Sequence, residues 1–130
     1  MARWASRTGF TIVELLIVVV VIAILAAVTI VAYNGISSRS KQSAVQSLMQ
    51  QVNKKILAYA VQNSDNYPPD LSAININQAD QDKLQYTVNN SASPRTYGLT
   101  GTIDAYSYYV SNTVTTPTSG GYQGHGQGGV

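Results

Sequence analysis

Two regimes of hydrophobic patterning divide the N-terminal half of the chain. From Leu15 to Ala32 there is no charge, and Thr29 is the sole polar side chain. As a helix rising ~1.5 Å per residue, Leu15 to Tyr33 reaches about 28 Å, close to the ~30 Å hydrocarbon thickness of a bilayer. A membrane span is therefore predicted. From Ser37 to Asn63 there is neither glycine nor proline, and apolar residues recur at Val45, Leu48, Met49, Val52, Ile56, Tyr59 and Ala60, near a period of 3.6. That spacing predicts an amphipathic helix continuing from the span. From Phe10 to Asn63 it would be about 80 Å long, with Gly35, ~1 kcal/mol weaker than alanine in a helix, as its easiest point of bending.

Asn63-Ser64-Asp65-Asn66-Tyr67-Pro68-Pro69 ends the helix with turn formers, and Pro68 excludes Tyr67 from helical backbone. A short helical turn is expected around Asp70 to Ile74. Beyond it the period changes to two. Tyr86-Val88, Tyr97-Leu99-Gly101-Ile103 and Tyr106-Tyr108-Val110 alternate with mostly polar residues, predicting three half-buried antiparallel strands. A two-residue loop at Asp104-Ala105 places Ile103 opposite Tyr106, Gly101 opposite Tyr108 and Leu99 opposite Val110, with a tyrosine over a bare glycine. The tyrosines suit core and interface packing better than a ligand-stacking surface. Residues 64–116 hold few large aliphatic side chains and there is no cysteine, so this head must bury itself against the stripe of the helix. The stripe is too short and irregular for a coiled-coil seam of several heptads.

The fold class is thus α+β, a long N-terminal helix against a small antiparallel sheet. Its segments are 1–9, 10–33, 34–63, 64–116 and 117–130. The last reads Thr-Ser-Gly-Gly-Tyr-Gln-Gly-His-Gly-Gln-Gly-Gly-Val after Pro117, too poor in apolar residues to offset ordering entropy, and is expected to be a flexible tail. His125, alone among glycines, is expected to be solvated, with no nucleophile or acid beside it for a catalytic triad.

Composition and charge narrow the chemistry. A length of 130 residues supports one small domain, and the absence of cysteine excludes disulfides and thiolate metal sites. The net charge of +2 gives no nucleic-acid signature. Glu14 is the anomaly, an acid at the edge of an apolar span. A carboxylate in hydrocarbon costs at least ~2.5–3.5 kcal/mol, which marks a functional residue in need of a cation. Arg3, Arg7 and the initiator amine precede the span, so the N-terminus should stay cytoplasmic. A secretory signal peptide would have a shorter apolar region, and a plain membrane anchor would account for the length without accounting for Glu14.

The run Gly9-Phe10-Thr11-Ile12-Val13-Glu14-Leu15-Leu16-Ile17-Val18-Val19, continuing through Ile24-Leu25-Ala26-Ala27 to Tyr33, closely resembles the processing and assembly signature of type IV prepilins and the related pseudopilins. The resemblance implies that a membrane aspartyl peptidase, the prepilin peptidase, cuts between Gly9 and Phe10. It also implies N-methylation of Phe10 and loss of Met1 to Gly9. Thr8 stands where many members carry a basic residue, and Ala23 and Val31 where many carry a glycine and a proline within the span. Tyr67-Pro68 with Leu71 extends the likeness weakly into the head.

Cleavage would release an α-amine of reference pKa ~7.7–8.0, largely protonated near neutrality, and methylation would leave its charge available. The amine of an incoming chain would then meet the Glu14 carboxylate of one already docked. The resemblance accordingly implies a structural subunit of a type IV pilus filament serving adhesion, motility or DNA uptake. Such a subunit is not an enzyme. It would be a single-pass precursor in the cytoplasmic membrane and then part of a helical homo-oligomer at the cell surface, assembled by an ATPase and an inner-membrane platform. A pseudopilin of a type II secretion or competence system is the alternative, followed by a single-span surface protein that never polymerises.

Arg39, Lys41, Lys54 and Lys55 lie on the stem, whereas Asp65, Asp70, Asp80, Asp82 and Asp104 lie beyond it with only Lys83 and Arg95. Opposite signs on stem and head make the four cations candidates for docking between subunits, against a plain solvated face or a small DNA-binding patch. No cofactor is expected. Some major pseudopilins bind calcium in the head, and Asp80 and Asp82 are its weak candidates here, although their spacing does not match an EF-hand loop. Asn89-Asn90-Ser91 matches a glycosylation sequon and carries little weight alone.

Overall fold

The computed structural model describes residues 8–126. Helix α1 spans Ile12–Gln62, 51 residues in all, and Gly35 is helical within it. A 3₁₀ turn at Leu71–Ile74, a short helix α2 at Gln78–Gln81, strands β1 (Leu84–Asn89), β2 (Thr96–Ile103), β3 (Tyr106–Ser111) and β4 (Thr118–Ser119), and a second 3₁₀ turn at Gln123–Gly126 follow. The chain divides into two compact units, one ending at Ser38 and the other beginning at Arg39.

Among the described residues of the first unit no large apolar side chain finds cover. From Phe10 to Ile36 each is about half exposed or more, from Val21 at 47% to Phe10 at 86%. An 18-residue window here has a mean hydropathy of 3.4, so α1 is long and apolar enough to cross a membrane.

The second unit is built on the amphipathic stripe. Val45, Met49, Val52 and Ile56 are fully buried at helical spacing, against Tyr97, Leu99 and Val110 of the sheet and Leu71 and Ile74 of the first 3₁₀ turn. Leu48 and Tyr59 flank them, partly buried. The sheet is antiparallel throughout, in the order β1-β2-β3-β4. Its central hairpin has the register that period-two patterning predicts, with Ile103 opposite Tyr106, Gly101 opposite Tyr108 and Leu99 opposite Val110. Asp104 makes the turn with a left-handed φ of 53°, a conformation that aspartate tolerates better than most side chains. Gly101 has a further role: a Cβ there would lie 2.7 Å from Met49 Sδ, so the bare backbone is what admits Met49 between helix and sheet.

Polar groups enter this core in pairs. The Tyr97 hydroxyl donates to Asn53 Oδ1 at 2.6 Å, and both residues are buried. Burial, reinforced by neighbouring Tyr67, pushes the Tyr97 phenol up to about 12. The Tyr86 hydroxyl donates to the Pro68 carbonyl at 2.8 Å, and burial raises its pKa as well. Asn90 imitates a strand: its Oδ1 accepts from Tyr67 N–H and its Nδ2 donates to the Tyr67 carbonyl, each at 2.9 Å. This clamp fixes the segment after α1 to the β1–β2 turn. Asp70 caps the expected helical turn by accepting from Ala73 N–H.

The structure departs from expectation at the C-terminus. Residues 117–130 were expected to be flexible, yet Thr118 and Ser119 pair with Tyr109 and Tyr108 as β4, and Gly120 N–H donates to the Ser107 carbonyl at 2.9 Å. Tyr122 then lies on Gly98, where a Cβ would overlap its ring. His125, expected to be solvated, bonds to Thr87 and Thr100. The order comes from backbone pairing to the free edge of β3 and from a glycine-shaped seat, neither of which depends on apolar content. Residues 127–130, and residues 1–7 of the leader with Arg3 and Arg7, lie outside the described residues.

Two stability predictions follow from the core. Tyr97→Phe should lower unfolding free energy by about 1–3 kcal/mol by orphaning the buried Asn53 carbonyl, and adding Asn53→Leu should recover most of it. Gly101→Ala should cost about 1–3 kcal/mol through overpacking against Met49. Thermal unfolding of the full chain in detergent micelles, followed by near-ultraviolet circular dichroism, measures both.

Candidate functional site

The start of α1 brings together every residue of the processing signature that lies within the described chain. Gly9 and Phe10 precede the helix without regular secondary structure, and both are exposed. The bond between them is thus presented in unpaired chain, as a peptidase requires.

Thr11 and Glu14 then form a reciprocal cap. Glu14 N–H donates to Thr11 Oγ1 at 3.2 Å, while Thr11 N–H donates to Glu14 Oε2 at 2.8 Å and the Thr11 hydroxyl to the same oxygen at 3.1 Å. This is the Thr-x-x-Glu capping box, which satisfies two amides that the first helical turn leaves unpaired. The carboxylate is held at the positive end of the helix dipole, aimed back along the chain towards Phe10. Its second oxygen, Oε1, accepts no bond among the described residues. Phe10, Glu14, Leu15, Ile17 and Val18 line a shallow hollow of about 520 Å³ around it. Chemically, the arrangement offers a pre-positioned anion with one free oxygen in apolar surroundings, able to receive a cation. The cap has a sequence signal in the three-residue spacing of Thr11 and Glu14, a signal separate from the position of an acid at the edge of a span.

The other candidate residues do not converge. Of the four stem cations, Lys41 pairs with Asp104 Oδ2 at 2.6 Å, holding the β2–β3 tip to the helix within one chain. Lys55 Nζ donates to the Asn75 carbonyl at 3.4 Å, and Arg39 and Lys54 are exposed. The opposition of stem and head charges is therefore partly used inside the subunit. Asp80 accepts from Asn77 Nδ2 at 2.8 Å and lies 3.9 Å from Lys83 Nζ, while Asp82 accepts from Gln78 Nε2 at 2.9 Å. Both carboxylates are tied into α2 and its caps. No group of three or more His, Cys, Asp or Glu occurs among the described residues. Asn89 of the sequon closes the β1–β2 turn, accepting from the amides of Ser91 and Ala92.

Comparison of the chain with curated proteins and with solved structures gives no match. The family model described as the prokaryotic N-terminal methylation motif matches residues 4–30, so the cleavage bond, the Thr11–Glu14 cap and most of the span all fall within it. An apolar N-terminal helix, a small antiparallel sheet and this motif together make the layout pilin-like, and the chain carries the class III signal of type IV pilins and pseudopilins.

Proposed function

We propose that the protein is a structural subunit of a type IV pilus filament, processed at Gly9–Phe10 and assembled through packing of its N-terminal helices. The observation that carries this reading is the capped Glu14 carboxylate, whose Oε1 is free among the described residues, at the head of a helix whose large apolar side chains are all exposed as far as Ile36. A prepilin peptidase would generate the Phe10 amine, and that amine, methylated and positively charged, would pair with Glu14 of a neighbouring copy. Removing one member of such a buried pair costs about 3–5 kcal/mol, because the other is left uncompensated. The pair sets axial register, while the apolar rows supply the bulk of the attraction.

The remaining roles follow from this arrangement. An assembly ATPase and an inner-membrane platform would lift the subunit from the membrane, and the filament would stand at the cell surface for adhesion, motility or DNA uptake. The reading requires no catalysis and no cofactor. Exposed Arg39, Lys54 and Lys55 would steer neighbouring copies towards exposed Asp65 and Asp82, affecting encounter and orientation more than final affinity.

Mass spectrometry of the protein from its native host should find a mature N-terminus at Phe10, heavier by one methyl group. A terminus still upstream of Gly9 would defeat the proposal. Glu14→Ala and Glu14→Gln should both be cleaved normally yet yield at least about tenfold fewer filaments by electron microscopy, a loss well within the cost of an unpaired buried charge. Glutamine can still cap the helix, so normal assembly of Glu14→Gln would reduce Glu14 to a capping residue. Short fibres dependent on a secretion apparatus, in place of long surface filaments, would identify a pseudopilin.

A further inference from the structure

The face of the sheet turned away from α1 carries Thr87, Gly98, Thr100 and Tyr109, the alternates of the core residues Leu99 and Val110. Thr100 is nevertheless only 7% exposed, because residues 118–126 cover it. The cover has three attachments. β4 pairs with β3, the Tyr122 ring sits on Gly98, and the His125 ring bridges two strands. His125 Nδ1 lies 2.7 Å from Thr87 Oγ1 on β1, and Nε2 lies 2.7 Å from Thr100 Oγ1 on β2. Tyr122 meets the imidazole edge-on, with ring centroids 5.3 Å apart.

The hydrogen bonds fix the charge state that fits. Thr100 Oγ1 already accepts from Tyr122 N–H at 2.9 Å, so its own proton is free to be given to His125 Nε2. With that proton given to an unprotonated Nε2, Nδ1–H donates to Thr87. A neutral ring completes the chain from Tyr122 N–H through Thr100 to Thr87 with every proton used once. An imidazolium would donate from both nitrogens and turn the Thr100 hydroxyl proton away from Nε2, depriving that buried donor of the acceptor it has in the neutral pair.

Among the described residues no anion faces the ring to compensate for the added charge. Of the titratable groups on or next to the strands packed against it, Tyr86, Tyr97 and Tyr108 belong to the core side with Tyr106 in alternation. Lys83 and Arg95 precede β1 and β2, Asp104 follows β2, and Tyr109 and Tyr122 lie on the side of the ring. Asp80 is beside Lys83 and Asp104 beside Lys41, and Asp82 is bonded to Gln78. Burial accordingly lowers the His125 pKa below its ordinary value of 6.5.

We infer that residues 118–126 are an acid-released latch: protonation of His125 breaks the Thr87–His125–Thr100 bridge and frees the tail, uncovering Gly98, Thr100 and Tyr109 on the outer face of the sheet. The sign follows from linkage. The released ring binds protons more readily than the latched one. Latching is therefore complete above the unlatched pKa near 6.5 and is lost as pH falls below that value and through the lower latched value.

The test is hydrogen exchange of the full chain in detergent micelles from pH 8 to pH 5, read at the Tyr122 amide, with Leu99 in the core as reference. The Tyr122 protection factor should hold steady down to about pH 7 and fall roughly tenfold by pH 5, while Leu99 stays unchanged. At pH 8 the ring nitrogen shifts should show Nε2 without a proton. His125→Gln, which keeps a donor and an acceptor but cannot titrate, should give a flat Tyr122 profile. Gly98→Ala, which evicts the Tyr122 ring, should show at pH 8 the low protection that the parent shows at pH 5. Constant protection in the parent across the range, an Nε2–H tautomer at pH 8, or the same fall in His125→Gln as in the parent would each overturn the latch.

Discussion

An uninterrupted row of exposed apolar side chains is the constraint to which the rest of this molecule answers. From Phe10 to Ile36 nothing among the described residues of the first unit covers them. Leaving that many valines, leucines and isoleucines in water costs on the order of tens of kcal/mol at ~1.5–3 kcal/mol for each large side chain. That exceeds the whole stability of a small domain, ~5–15 kcal/mol, so no local adjustment can offset it. The row must lie in hydrocarbon or against other helices. Both environments are dry, and both make the helix start the delicate point, since an uncapped amide there has no water to fall back on. The Thr11–Glu14 box answers this, and it places a carboxylate where only a cation can complete it.

The second half of the same helix solves a different problem. A head with no cysteine and few aliphatic side chains cannot close a core by itself. Val45, Met49, Val52 and Ile56 form its floor, and Gly101 gives Met49 room to approach the sheet. The Tyr97–Asn53 bond adds direction to that contact, because a shift of the helix by one turn would leave two buried polar groups unpaired. Lys41 and Asp104 add a tether at the hairpin tip, exposed and worth ~0–1 kcal/mol, which serves orientation more than stability.

How much of this was readable in the chain depended on the range of each signal. Helix stripe and hairpin register are local repeats, one of period 3.6 and one of period two about a two-residue loop, and the structure reproduces both. Helix α2 is too short for any period and rests on an asparagine cap at Asn77. The ordered tail was hidden for another reason. Thr118 and Ser119 hold no strand signal; they pair because β3 offers a free edge, and Tyr122 stays because Gly98 leaves a hollow. Composition weighs what a segment contains, whereas here the determinant is what another segment leaves open. Lys41–Asp104 is illegible for the same reason, since only the folded hairpin brings the two charges together.

Capping and ion pairing at Glu14 are compatible because a carboxylate has two oxygens and about four lone pairs. Thr11 takes one oxygen in the single chain, which removes the rotamer freedom that an unbound glutamate would lose on docking. In the proposed filament a partner's amine would then have only to fill Oε1, which accepts no bond among the described residues. Glutamine would satisfy the cap and alanine neither bond, so the helix needs only an acceptor at this position, while the proposed contact between copies would need a charge. A negative charge in dry surroundings is tolerable only while paired, and in the proposed filament that condition would turn a costly residue into a register mark: any docking that left the carboxylate without a cation would bear the desolvation cost without the attraction that offsets it.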